Sequence, residues 1–216
     1  MKILKKIFYK IFSELNTIYY KDIYFIKNSS TNSDIAEKTK LYEPFSIYHS
    51  QVGKGTYIAE NSKISYTNIG KFCSIGLNLV CGWGIHPING ISTSPFFYST
   101  KKQNGFTIAK RDLIEERKRI NIGNDVFIGA NVTILDGISI GDGAIIGAGS
   151  VVSKDIPDYA VAYGVPIKIV KYRFNKSQIR QLKEISWWDL EESELIKVRD
   201  TFFDIDNFIK NNSKNV

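Results

Sequence analysis

Side chains that can move a proton, carry an acyl group or hold a metal are scarce in this sequence. Its 216 residues include two histidines, His49 and His86, and two cysteines, Cys73 and Cys81. With no C-x-x-C pair and so few soft ligands, no metal site is expected. His86 is followed by Pro87, which biases it away from helical dihedrals and presents the ring from an extended loop. A neutral imidazole placed there can take a proton from a hydroxyl, or it can be a plain structural loop histidine. Around it, Trp83, Phe96, Phe97, Tyr98 and Phe106 offer an apolar platform for a sugar ring or a drug, with Asn89, Ser92 and Thr93 to orient hydroxyls. The same aromatic residues would serve equally to cover a subunit interface. His49 lies where nothing polar or glycine-rich suggests a site, and reads as structural.

The elements that must position these residues follow a period of six. Aliphatic anchors fall at Ile122, Ile128, Ile134, Ile140, Ile146 and Val152, and earlier at Val52, Ile58 and Ile64, after which the rhythm slips by one residue to Ile69 and Ile75. A helix would rotate such anchors onto different faces, and an alternating strand would not need Gly at a fixed offset. A solenoid accounts for both: each hexad is a short strand and a turn on one side of a triangular prism, and three hexads close a coil with the anchors stacked inside. Cys73 and Ser62 occupy the small position of the hexad, which makes Cys73 core and not a nucleophile. The rhythm stops between Val80 and Ile122, so residues 81–121 form a long projecting loop, a length that is usually functional. The expected organisation is a helical arm over 1–45, the solenoid over 46–170, and a helical extension over 171–216 that caps the open end, with Ser177 as N-cap and a second helix near Glu191–Asp200.

The chain carries 29 Lys+Arg against 22 Asp+Glu, a formal charge of +7, with the excess in the arm and the middle. No helix-turn-helix, RNP or zinc-finger pattern accompanies it, so nucleic acid is not the expected partner, and a small polyanionic cofactor suits it better. In the first fifteen residues Ile3, Leu4, Ile7, Phe8, Ile11, Phe12 and Leu15 lie at helical spacing among Lys2, Lys5, Lys6 and Lys10. That basic amphipathic helix would dock within an oligomer or rest peripherally on an anionic membrane. With no long apolar span and no secretory leader pattern, a cytoplasmic location is expected.

The hexads resemble the hexapeptide-repeat acyltransferases of the left-handed parallel β-helix class. The loop narrows the likeness to the xenobiotic and polysaccharide O-acetyltransferase branch, through His86-Pro87 and Ser92-Thr93-Ser94-Pro95-Phe96-Phe97. Lys154–Ala160, Gly164-Val165-Pro166-Ile167-Lys168, Lys171-Tyr172-Arg173-Phe174 and Trp187-Trp188-Asp189 also look like this branch's exit from the helix, so the match covers about residues 45–190. The branch often has Trp where Phe127 stands here. The resemblance implies a homotrimer with sites between subunits and acetyl-CoA as co-substrate. It implies His86 as general base. Gly129, Gly147, Ala148 and Gly149 sit at turns of the late coils, where they can let a pantetheine arm lie against the backbone or simply serve the turn, and Lys154, Lys168, Lys171 and Arg173 follow the last hexad, where they can hold the phosphates or form a solvated face. The expected reaction is acetylation of a hydroxyl on a surface-polysaccharide sugar or its precursor. The alternatives are a hydroxylated antibiotic, an amino sugar, or a catalytically silent prism used for binding or assembly.

Overall fold

The computed structural model describes residues 28–212. The amphipathic helix expected at the N-terminus lies outside them. Two- to four-residue strands stack into three parallel sheets, the faces of a left-handed parallel β-helix. Face one holds Ser29–Thr31, Phe45–Tyr48, Ser62–Ser65, Val80–Cys81, Thr133–Ile134 and Val151–Val152. Face two holds Asp34–Ile35, Gln51–Val52, Thr67–Ile69, Ile120–Ile122 and Ser139–Ile140. Face three holds Lys40–Leu41, Tyr57–Ile58, Ser74–Ile75, Phe127–Ile128, Ile145–Ile146 and Ala160–Tyr163. Every anchor of the six-residue rhythm is buried on the prism axis, where like side chains stack from coil to coil.

The slip in the rhythm has a local cause. Early coils are seventeen residues long, pairing Lys40 with Tyr57 and Tyr57 with Ser74, whereas late coils have eighteen, pairing Phe127 with Ile145. The missing residue is lost at the corner from face one to face two, turned by His49 at φ 47° and Tyr66 at φ 51°. A single left-handed residue closes this corner more tightly than the late turns through Asp136-Gly137.

The solenoid also starts earlier than the boundary expected at residue 46. Strands at 29–31, 34–35 and 40–41 pair in register with those at 46–48, 51–52 and 57–58, and Ile35 and Leu41 pack against the core. Those hexads lack glycine, and Lys38 takes the left-handed corner at φ 59°, which hides them from a search for the repeat. Cys73 is core as expected: burial pushes its thiol up to about 12, and the thiol donates to the Gly123 carbonyl at 3.1 Å.

After the last coil Lys168–Tyr172 pairs antiparallel with Ala160–Tyr163, and three helices follow: α1 (Lys176–Ile185), α2 (Ile196–Asp200) and α3 (Ile205–Asn212). The N-cap of α1 is Asn175 and not Ser177, because Asn175 and Gln178 bond each other's backbone N–H at 3.0 and 3.2 Å in a capping box. This segment, expected to cap the open end, instead runs back as a strap along the edge between faces two and three, from the last coil to the first described one. Lys183 reaches Asp142 and Asp158, Lys71 bonds Asp189 at 2.8 Å, and Lys38 bonds Glu192. Trp187 packs on Phe72 with ring centroids 5.3 Å apart.

Candidate functional site

The loop leaves the prism at the edge between faces one and two. Gly82, at φ 60°, starts it, and a Cβ there would meet the Ser65 carbonyl at 2.6 Å, so only glycine makes this exit. Asp136 clamps both stems, accepting the Gly84 N–H at 2.9 Å and the Lys118 N–H at 3.2 Å, while Arg117 donates to the Gly82 carbonyl at 2.6 Å.

The loop carries a polar core of its own. Buried Glu116 accepts from Ser99 Oγ at 2.7 Å, Gln103 Nε2 at 2.6 Å and Lys101 Nζ at 2.9 Å. Burial pushes its carboxyl up, but the Lys101 and Ser99 bonds and the lysine charge outweigh that and hold it below the usual range. Thr100 donates its backbone N–H and hydroxyl to Asp112 and likewise holds that carboxyl down. Glu116 and Asp112 escaped the sequence reading because they sit in a charged run with no periodic signal.

This scaffold fixes His86. Its Nδ1 lies 2.9 Å from the Thr93 carbonyl and 2.8 Å from Tyr98 Oη. A carbonyl only accepts, so the ring proton belongs on Nδ1 and the Nε2 lone pair is left free on an exposed ring. An imidazole held in that tautomer is equipped to receive a proton from a hydroxyl.

The residues expected to meet an acceptor divide. Trp83, Phe97 and Phe106 are exposed, Arg117 lies over the Trp83 ring at 6.0 Å, and Phe96 packs edge-on between Phe97 and Phe106. Asn89 is exposed, Ser92 Oγ accepts the Ser94 N–H at 3.0 Å, and Thr93 acts through its carbonyl. Tyr98 is only 4% exposed and offers its oxygen to His86. The loop tip projects Ile88 and Ile91, both fully exposed in the single chain.

The residues expected to meet coenzyme A lie on different edges. Gly129, Gly147, Ala148, Gly149 and Lys168 gather at the edge between faces three and one. A Cβ on Gly129 would meet the Ala148 backbone at 2.5 Å and one on Gly147 the Tyr163 Cβ at 2.7 Å, so coil stacking requires both glycines. The N–H groups of Gly129, Gly147 and Gly149 are all bonded within the solenoid, at 2.8 to 2.9 Å. Ala148 and Gly149 are exposed, and nothing lies within 4 Å of a Cβ placed on Gly149. Lys154 stands at the edge between faces one and two, between Val151–Val152 and the Ile140–Ile156 bridge. Arg173 is on the third edge, donating to Asp125 at 2.9 Å and to the Gly143 carbonyl at 2.8 Å. The stems of the loop that carries His86 and the open glycine edge thus lie on opposite sides of face one, about 16 Å apart for five extended residues.

Comparison with known proteins agrees with this architecture. Residues 119–154 match the family described as bacterial transferase hexapeptide (six repeats). A chloramphenicol acetyltransferase of Agrobacterium fabrum is 32% identical over 157 residues, covering 71% of this chain and 74% of that protein. One of Klebsiella aerogenes is 40% identical over 124 residues, and there the match covers 56% of this chain and only 58% of the relative. Among solved structures, a galactoside acetyltransferase in complex with coenzyme A superposes with a TM-score of 0.51 and 26% identity, covering 68% of this chain and 71% of that one.

Proposed function

This chain belongs to the hexapeptide-repeat acetyltransferases, and we propose that it transfers acetyl from acetyl-CoA to a hydroxyl on a surface-polysaccharide sugar or its precursor, with His86 as general base. The observation that carries the proposal is the Thr93 carbonyl 2.9 Å from Nδ1, which leaves Nε2 free to take the hydroxyl proton. The sugar oxygen then attacks the acetyl carbonyl, and the proton held on His86 passes to the departing sulfur, so the step balances without a covalent enzyme intermediate. Acetyl-CoA supplies the thioester that makes this transfer favourable. Ala148 and Gly149 offer an open edge where a pantetheine arm can lie, and Lys168 supplies a positive charge beside it. Holding oxygen, base and thioester together accounts for much of the expected acceleration.

That the loop carrying His86 leaves the prism at a different edge from the open glycines supports a homotrimer, in which the loop of one copy meets the glycine edge of the next. Exposed Ile88 and Ile91 at the loop tip fit the same reading, since a second copy would bury them. The antibiotic acceptor remains a second reading, favoured by the activity that the relatives' names carry. Mass spectrometry of glycans, amino sugars and chloramphenicol, each incubated with protein and acetyl-CoA, separates these. A gain of one acetyl on a sugar oxygen is the expected result; acetylation of chloramphenicol alone would shift the assignment to the antibiotic. Thiol release with none of them would leave the non-enzymatic prism.

A further inference from the structure

His86 Nδ1 has two oxygen neighbours, and they are not equivalent. The Thr93 carbonyl at 2.9 Å can only accept, whereas Tyr98 Oη at 2.8 Å can accept or donate. If the phenol donated into Nδ1, that nitrogen's lone pair would face the carbonyl's, and the ring proton would move to Nε2 and block it as a base. With the proton on Nδ1, both oxygens share it as acceptors. Among the described residues no carboxylate bonds this imidazole, so the carbonyl and the phenol are what can stabilise it once charged.

Tyr98 is built into place. It is 4% exposed, its ring meets the imidazole edge-on with centroids 6.3 Å apart, and its carbonyl accepts the Leu113 N–H at 2.9 Å. The next residue, Ser99, is bonded to buried Glu116. The charged groups facing the phenol are Glu116 and Lys101. Burial, and after it Glu116, push its titration upward against the opposing pull of Lys101, so the phenol stays neutral across the working pH range.

On the basis of the acetyl-transfer reading above, we propose that Tyr98 is a positioning residue for His86: its oxygen holds the Nδ1–H tautomer and accepts more strongly from Nδ1–H when Nε2 takes the substrate proton. Hydrogen bonds to a charged donor are stronger than to a neutral one, so the phenol favours the protonated ring and makes Nε2 a better base.

Tyr98→Phe keeps the ring contact and removes only the oxygen. The expected result is a fall in kcat of about tenfold, the lower end for losing a hydrogen bond to a charged group. The apparent constant for acetyl-CoA should be unchanged, and the acid limb of the pH–rate profile should move to lower pH. Tyr98→Leu, which also removes the aromatic edge, serves as the packing control. If Tyr98→Phe keeps the parent kcat and acid limb while Tyr98→Leu loses activity, the residue only packs and the proposal is overturned. Nitrogen-15 spectra of the His86 ring, assigned against His86→Asn, read the tautomer with no acceptor present. Because the Thr93 carbonyl by itself also favours Nδ1–H, the spectra are compared between the parent and Tyr98→Phe: a smaller Nδ1–H fraction in Tyr98→Phe supports the proposal, and a proton on Nε2 in the parent, or the same tautomer population in both proteins, overturns it. A parent protein that acetylates nothing would sink the acetyl-transfer reading, and the spectra would still decide the Tyr98 assignment.

Discussion

Replacing Glu116 by alanine should release the loop while leaving the prism intact. The carboxylate takes bonds from Ser99, Gln103 and Lys101, and all three join parts of the loop to one another. None reaches the core of the coils. A bond to a charged group is worth roughly 1.5–3 kcal/mol. The Lys101 side chain is 52% exposed, so water reclaims most of its share, and the freed Ser99 and Gln103 donors recover part of theirs. We expect a net loss of about 3 kcal/mol in the free energy that keeps the loop closed, or roughly a hundredfold faster amide exchange there. Hydrogen–deuterium exchange on peptides from the loop and from the late coils measures this directly, with exchange in the coils unchanged. The pH sign follows from the carboxyl being held below its ordinary range. Its contribution is complete above the unfolded value and is lost as the pH falls through the folded one. Loop protection in the parent should therefore weaken in acid, and the alanine variant should lack that dependence. Parent-like loop exchange in the variant, or equal loss of protection in the coils, would show that Glu116 does not hold the loop closed.

Gly129→Ala should lower the melting temperature, because its Cβ would meet backbone atoms of the next coil at 2.5 and 2.8 Å; overpacking of this kind costs about 1–3 kcal/mol, and a parent-like thermal transition would contradict it. Lys168→Glu should raise the apparent constant for acetyl-CoA, by an amount that shrinks as salt rises, whereas Arg173→Ala should act on stability by leaving partly buried Asp125 without its partner. The reverse pattern, with cofactor affinity lost in Arg173→Ala alone, would show that the phosphates sit on the strap edge.

The prism was legible because its signal is carried by buried aliphatic residues at fixed spacing, and Ile122 through Val152 occupy the axis as their rhythm required. What escaped were corners closed without glycine. Lys38, His49 and Tyr66 take left-handed dihedrals that sequence patterns assign to Gly or Asn, so the first coil and the cause of the slip at Ile69 were hidden. The strap was visible as helices but not as a partner of one particular edge, since Lys71–Asp189 and Lys38–Glu192 join residues over a hundred positions apart. In the site, His86 stood out by type and by Pro87. Its orientation did not, because it depends on a backbone carbonyl at Thr93 and on Tyr98, which reads from sequence as another exposed aromatic. Arg173 likewise reads as a phosphate ligand, yet it is committed to Asp125.

Steady-state turnover of His86→Ala on the acceptor identified by mass spectrometry decides whether His86 takes the acceptor's proton. The imidazole ring is exposed and its removal leaves the Ser99–Glu116 core untouched, so the variant should fold as the parent does. The expected kcat is lower by roughly 10²–10⁴, the scale of general base catalysis, with acetyl-CoA affinity little changed. A folded His86→Ala variant that turns over within a few-fold of the parent would contradict it.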